Sequence, residues 1–301
     1  MEIRLAENAG FCFGVEKAVE EVEKQIAKTA RPAREGRPAR VYTYGEIVHN
    51  EAVVQALADQ GVRIVEDAED IGRIAREKRD ADEDACIVIR AHGAEKRVID
   101  LLEQGGVRVI DATCPFVKRI HNIVREAGER GETVVVVGNP DHPEVKGIVG
   151  WAKGDVFVVS SGEEATSLQI PPDKVITIVS QTTENRQKFE EIVEILKQRE
   201  YNISIANTIC NATSVRQREA ERIASEVDVM IVVGGAHSSN TRKLYEISAA
   251  NCAETYLVRN AGDLKGVRLK EAAKVGITAG ASTPKTIIEE VLQYVRTGSV
   301  V

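Results

Sequence analysis

Short runs of nearly unbroken apolar residues alternate along this chain with segments whose apolar positions recur every three to four residues. Residues 41–44, 133–137 and 229–233 form one set of runs, and residues 87–89, 175–179 and 275–278 form another. Runs of that length, between helical patterns, predict strands covered on both faces of a parallel sheet. After Cys12 the positions Val15, Val19, Val22 and Ile26 follow helical spacing, and after Cys114 so do Phe116, Ile120, Ile123 and Ala127. Val215, Ala220, Ile223 and Val227, after Cys210, are less regular but compatible with a helix. Pro115 suits a first helical position.

The layout repeats three times. In residues 3–12, 107–114 and 203–210 a β-like run ends in a small polar stretch and then a cysteine, the three cysteines lying roughly a hundred residues apart. The next run of each copy closes in a polar turn: His49-Asn50, His142-Pro143-Glu144 or Ser238-Ser239-Asn240. After a further helix and strand, a third run delivers a second polar turn: Ala91-His92-Gly93, Gln181-Thr182-Thr183 or Ala281-Ser282-Thr283. The expected fold is therefore α/β, with three similar small domains containing parallel sheets at 1–111, 112–207 and 208–283. The third copy lacks a closing strand of its own, so the helix at 284–301 is expected to pack back on the first domain.

In open parallel sheets ligands gather beyond the carboxyl ends of the strands, where every cysteine and polar turn falls here. If the three domains surround a pseudo-threefold axis, Cys12, Cys114 and Cys210 converge on it. The alternative is that duplication left three packing cysteines.

Composition narrows the chemistry. The chain has 301 residues, 43% hydrophobic and 29% charged, which suggests neither disorder nor a membrane span. Its net charge of −7 argues against nucleic acid as a partner, so an anionic ligand must be held locally by helix N-termini, hydroxyls and histidines. The first residues lack the basic-then-apolar layout of a signal peptide, and a cytoplasmic location is expected.

Five cysteines, none in a CxxC pair, do not read as a disulfide framework. Thiolates suit iron–sulfur clusters, and three ligands to a cubane that normally takes four leave one iron open. Three cysteines and a histidine could instead hold zinc, although structural zinc sites usually draw ligand pairs from close spacing. Cys86, opening a strand-like run, and Cys252 read as packing residues. Of the five histidines, His49, His92 and His142 all sit in post-strand turns, which suits anion binding and proton transfer; His121 and His237 receive no role. Glu144 could supply a proton, or be only a carboxylate favoured by a helix N-terminus. Any one hydroxyl among Thr182, Thr183, Ser238, Ser239, Ser282 and Thr283 is explained as an N-cap, but their repetition favours diphosphate recognition. No GxxxxGK[ST] segment is present.

Eight motifs occur in one order: Gly10-Phe11-Cys12-Phe13-Gly14-Val15, Ile47-Val48-His49-Asn50, Ala91-His92-Gly93, Asp111-Ala112-Thr113-Cys114-Pro115, His142-Pro143-Glu144-Val145, Gln181-Thr182-Thr183, Ser238-Ser239-Asn240 and Thr278-Ala279-Gly280-Ala281-Ser282. Across nearly its whole length the chain thereby resembles the 4-hydroxy-3-methylbut-2-enyl diphosphate reductase (IspH/LytB) family. That resemblance implies a three-domain cloverleaf and a 4Fe–4S cluster on Cys12, Cys114 and Cys210, with one open iron for the substrate's allylic hydroxyl. It implies that His49, His92, Ser238, Asn240 and Ser282 hold the diphosphate, with Ser239 close by, and that Thr182 contacts the hydroxyl end. Glu144 would deliver the proton that lets the hydroxyl leave as water, supported by His142. Reduced ferredoxin or flavodoxin would supply electrons one at a time. Reductive dehydroxylation would give isopentenyl and dimethylallyl diphosphates, the last step of the methylerythritol phosphate route to isoprenoids. Two other readings stay open on the residues alone: a redox-neutral dehydratase using the cluster as a Lewis acid, and a non-enzymatic sensor of a phosphate ligand.

Overall fold

The computed structural model describes residues 1–29, 41–67, 85–199, 201–267 and 272–298, with positions 70, 72, 74 and 269. The tail of the expected C-terminal helix, residues 299–301, lies outside the described residues. Among the described residues twelve strands form three four-stranded sheets, and every strand pair there is parallel. They are β1 (Glu2–Leu5), β2 (Val41–Tyr44), β3 (Arg63–Val65), β4 (Cys86–Ile89), β5 (Arg108–Asp111), β6 (Thr133–Val137), β7 (Val156–Val159), β8 (Val175–Ser180), β9 (Asn202–Ile205), β10 (Val229–Val233), β11 (Glu254–Val258) and β12 (Lys274–Ala279). The sheet orders are β3-β2-β4-β5, β7-β6-β8-β9 and β1-β12-β10-β11. The α/β class and the parallel sheets expected from the apolar runs are thus present.

The helices are α1 (Phe13–Thr29), α2 (Glu51–Asp59), α3 (Lys96–Gln104), α4 (Pro115–Glu129), α5 (Pro143–Trp151), α6 (Gly162–Ser167), α7 (Arg186–Lys197), α8 (Asn211–Ala224), α9 (Ser239–Asn251) and α10 (Lys285–Thr297). The chain divides into two compact units, Met1–Val15 with Val48–Val54 and Cys210–Val301, and Glu16–Ile47 with Gln55–Ile209.

The first unit holds the sheet β1-β12-β10-β11. Side chains alternate across a strand, so Val229, Ile231 and Val233 of β10 meet one helical layer while Met230 and Val232 meet the other. The former pack with Ile287, Ile288, Val291 and Val295 of α10, the latter with Ala220 and Ile223 of α8 and Leu244 of α9. Strand β1, placed by the sequence pattern in residues 1–111, instead pairs with β12, Ile3 lying opposite Val275. Each copy's opening strand completes the preceding copy's sheet: β5 lies beside β4, β9 beside β8, and β1 beside β12. The strand that the third copy lacks is supplied by the chain's start, and Ile3 joins the core that α10 covers.

The second unit holds the other two sheets. Val134 and Val136 of β6 pack with Ile120, Val124 and Ala127 of α4 and Val145 and Ile148 of α5, whereas Val135 and Val137 meet Phe189, Ile192 and Leu196 of α7. Such two-sided burial explains why these strands read as unbroken valine and isoleucine. The helical faces turn slightly from the expected stripes. In α4 the buried positions are Val117, Ile120, His121, Val124 and Ala127, while Phe116 is exposed. In α8 they are Thr213, Arg216, Gln217, Ala220, Ile223 and Ala224, so the irregular pattern after Cys210 reflects an inward face that is half polar.

Candidate active site

Cys114 and Cys210 are the N-caps of α4 and α8, and Cys12 immediately precedes α1. Neither N-cap sulfur makes a capping hydrogen bond, and all three side chains are partly exposed, whereas Cys86 and Cys252 are buried. Soft sulfur donors at the positive ends of helices suit a metal cluster carrying negative charge. The turns that present them are pinned by hydrogen bonds. The Cys114 amide donates to Ala91 O at 3.0 Å and the Cys12 amide to Ala281 O at 3.2 Å. The Thr113 amide donates to Asp111 Oδ1 at 3.0 Å, and Lys118 pairs with Asp111 at 2.6 Å. That carboxylate is held below its ordinary range, because the Lys118 and Thr113 contacts outweigh the opposing cost of burial. Ahead of Cys210, Thr208 Oγ1 accepts from the Ser180 amide at 2.7 Å and donates to Ser180 O at 2.6 Å.

Within the first unit, a polar cradle forms at the N-terminus of α9. Ser238 is its N-cap, and Ser282 Oγ lies 3.3 Å from Ser238 Oγ and 3.2 Å from His49 O. Asn240 is 4% exposed, yet neither its amide nitrogen nor its amide oxygen has a hydrogen-bond partner among the described residues. Burying an amide unsatisfied costs on the order of 1–3 kcal/mol, part of which an anion accepting from Asn240 Nδ2 at the α9 N-terminus would offset. Ser239, the first residue of α9, is partly exposed. Two glycines let the chain close here. A Cβ at Gly280 would collide with Thr241 Oγ1, and one at Gly235 would stand 2.8 Å from His49 O.

Within the second unit, the turns after β6 and β8 meet at Glu144. Its Oε1 accepts from the Thr182 amide at 2.6 Å and its Oε2 from Thr182 Oγ1 at 2.7 Å. Glu144 is 1% exposed, and burial, outweighing the two Thr182 hydrogen bonds, raises its pKa to about 7. A carboxylic acid so placed holds a transferable proton near neutrality. His142 is the N-cap of α5, its Nδ1 accepting from the Glu144 amide at 3.1 Å. Because Nδ1 accepts, a neutral His142 carries its proton on Nε2. The His142 ring meets the His92 ring edge to face, with centroids 5.3 Å apart.

His121, given no role by the sequence, is structural. Its ring stacks on Trp151 at 5.2 Å, and Trp151 Nε1 donates to Ala94 O at 2.9 Å. Burial depresses its pKa to about 4, leaving it neutral at pH 7. It also explains Gly93, whose φ is +78° and whose added Cβ would stand 2.8 Å from His121 Cε1. His237 is exposed. Sequence reasoning missed Arg216, 6% exposed on α8; the only signal was the broken apolar stripe after Cys210.

Parallel sheets whose post-strand turns carry cysteines at helix N-termini, a polar cradle and a buried carboxylic acid with a raised pKa define the class: an α/β enzyme. The chain belongs to the LytB protein family, whose family model matches residues 3–296. It is 43% identical over 296 residues to 4-hydroxy-3-methylbut-2-enyl diphosphate reductase of Caldanaerobacter subterraneus subsp. tengcongensis, covering 98% of this chain and 97% of that one. Among solved structures, the E-1-hydroxy-2-methyl-but-2-enyl-4-diphosphate reductase of Plasmodium falciparum superimposes with a TM-score of 0.86 at 28% identity, covering 97% of this chain and 87% of that chain. A structure of (E)-4-hydroxy-3-methyl-but-2-enyl diphosphate reductase, described as the terminal enzyme of the non-mevalonate pathway, matches with a TM-score of 0.66 at 36% identity over 98% of this chain and 99% of that one.

Proposed function

We propose that the chain reduces 4-hydroxy-3-methylbut-2-enyl diphosphate to isopentenyl and dimethylallyl diphosphates, closing the methylerythritol phosphate route in the cytoplasm. Among the described residues no helix is long and apolar enough to cross a membrane. The observation that carries the reading is Glu144: a fully buried acid poised near neutrality, held by Thr182, in a chain of this family. A redox-neutral dehydratase or a sensor would leave the reductases' close likeness unexplained.

In this reading Cys12, Cys114 and Cys210 hold a 4Fe–4S cluster with three protein ligands and one open iron. When bound, that group would supply Lewis acidity toward the allylic hydroxyl and one-electron reducing power, with reduced ferredoxin or flavodoxin as the electron donor. Two electrons and two protons exchange the C–O bond for a C–H bond and release water. Glu144 gives one proton to the departing oxygen, Thr182 fixes Glu144 through two hydrogen bonds and contacts the hydroxyl end, and His142 supports the relay. His49, His92, Ser238, Ser239, Asn240 and Ser282 receive the diphosphate, with the α9 N-terminus supplying amide donors.

The reading is tested by purifying the protein without air, measuring iron and sulfide, recording a Mössbauer spectrum, and assaying turnover with a strong one-electron reductant. A cluster and reductant-dependent turnover are expected; turnover without any donor would favour the dehydratase, and ligand binding without turnover the sensor. For the diphosphate set, His49→Ala is expected to raise the substrate's Kd about ten- to a hundredfold, the loss of one hydrogen bond to a charged group, while the cluster spectrum stays unchanged. Unaltered affinity would remove His49 from the set.

A further inference from the structure

Arg216 is a buried cation in the first unit, and its hydrogen bonds among the described residues go to backbone carbonyls close in sequence to Cys12 and Cys210. It lies on α8, which Cys210 caps, and is 6% exposed. Its Nη2 donates to Gly10 O at 2.9 Å and to Phe11 O at 3.4 Å, the two carbonyls ahead of Cys12, and its Nη1 donates to Ala212 O at 3.1 Å, two residues after Cys210. One guanidinium thus ties together the two segments that present Cys12 and Cys210.

A buried charge needs an opposite one, and removing a charge's partner typically costs several kcal/mol. The acidic groups acting on Arg216 are the Cys12 and Cys210 thiols and Glu219. Glu219 is engaged elsewhere: its Oε1 accepts from the Glu7 amide at 2.8 Å, and its Oε2 from the Asn8 amide and Asn8 Nδ2, both at 3.1 Å. Arg216 Nε, also buried, has no hydrogen-bond partner among the described residues. The protein therefore buries a permanent positive charge against the backbone next to both cysteines, and among the described residues no carboxylate pairs with it directly. Such a site is satisfied when those sulfurs are anionic ligands.

We infer that Arg216 is the resident counter-cation of the Cys12 and Cys210 sulfurs, a positioning residue that fixes both segments and raises the reduction potential of the cluster they hold. The inference rests on the reading above that these cysteines are cluster ligands. Its physical basis is that adding an electron makes the centre more negative, and a fixed positive charge nearby stabilises that state; net charge and hydrogen bonding to the sulfurs are the levers that set such potentials.

The test is an anaerobic redox titration of the cluster-loaded protein, followed by electron paramagnetic resonance, for wild type, Arg216→Gln and Arg216→Lys, with circular dichroism as the check on folding. Arg216→Gln is expected to lower the reduced-to-oxidised ratio at a fixed potential about tenfold, which is about 59 mV for a one-electron couple, while Arg216→Lys keeps most of the wild-type value. If Arg216→Gln takes up no cluster, a wild-type potential in Arg216→Lys still supports the inference, because a lysine keeps the charge without the fork of donors. Equal potentials for Gln and wild type would overturn it. So would a fall in Arg216→Lys as large as in Arg216→Gln, or folded protein in which both variants lose the cluster, since Arg216 would then be scaffold alone. Wild-type protein lacking iron and sulfide would instead sink the reading on which the inference rests.

Discussion

Glu144→Gln is expected to lower kcat at least a hundredfold while leaving the fold, the cluster spectrum and substrate affinity in place. Glutamine is nearly isosteric and can keep both Thr182 contacts, its oxygen accepting from the amide and its nitrogen donating to Oγ1. Only the transferable proton is lost, and a positioned acid contributes about a hundred- to ten-thousandfold to rate. The sign of the pH dependence follows from the raised pKa of about 7: the acid is loaded below that value, so wild-type kcat should fall as pH rises through it. The same shift links to stability. The native state holds a proton that an unfolded glutamate, with its ordinary value of 4.5, has already released, so stability falls as pH rises from about 4.5 to 7. The loss is on the order of 3 kcal/mol, and Glu144→Gln should abolish that part of the slope in urea titrations of the cluster-free protein. Unchanged kcat in the variant would remove Glu144 from the acid role.

Cys114→Ser is expected to abolish the brown colour and nearly all bound iron, and with them turnover, in protein prepared without air. Serine is among the best N-cap residues, and the backbone bond from residue 114 to Ala91 O does not involve the side chain, so α4 and its turn should persist. What changes is the donor: a hydroxyl is a harder ligand that does not ionise readily near neutrality. Cys86→Ser is the control, because Cys86 lies fully buried in β4 and its loss should weaken the packing of that strand without removing iron. Iron and sulfide content with circular dichroism decides the matter. A fully retained cluster in folded Cys114→Ser would mean that another group holds the metal.

Much of the architecture was legible in the chain because two periods write it directly. Twofold alternation was erased in Val134–Val137 by burial on both faces, leaving the unbroken valine run that marks a covered parallel strand. Proline at the first position of α4 and α5 and serine at the cap of α9 fixed where those helices begin. The cysteines and polar turns were visible because all follow strands. The partner of β1 was not, since local periodicity sets where a strand forms and says nothing about which distant edge it joins.

The sequence by itself determined the family, the α/β class, the repeated strand-turn-helix layout and the residue types at each turn, because these depend on local patterning and on motifs read in order. Tertiary structure alone decided that β1 closes the sheet of β10 to β12, that Thr182 clamps Glu144, and that burial lifts Glu144 toward neutrality. It alone turned the polar side of α8 inward and tied Arg216 to the backbone of the segments that carry Cys12 and Cys210. The reason is common to all of these: desolvation and hydrogen bonding act between groups far apart in the chain, and their strength is set by packing, which no window of sequence contains.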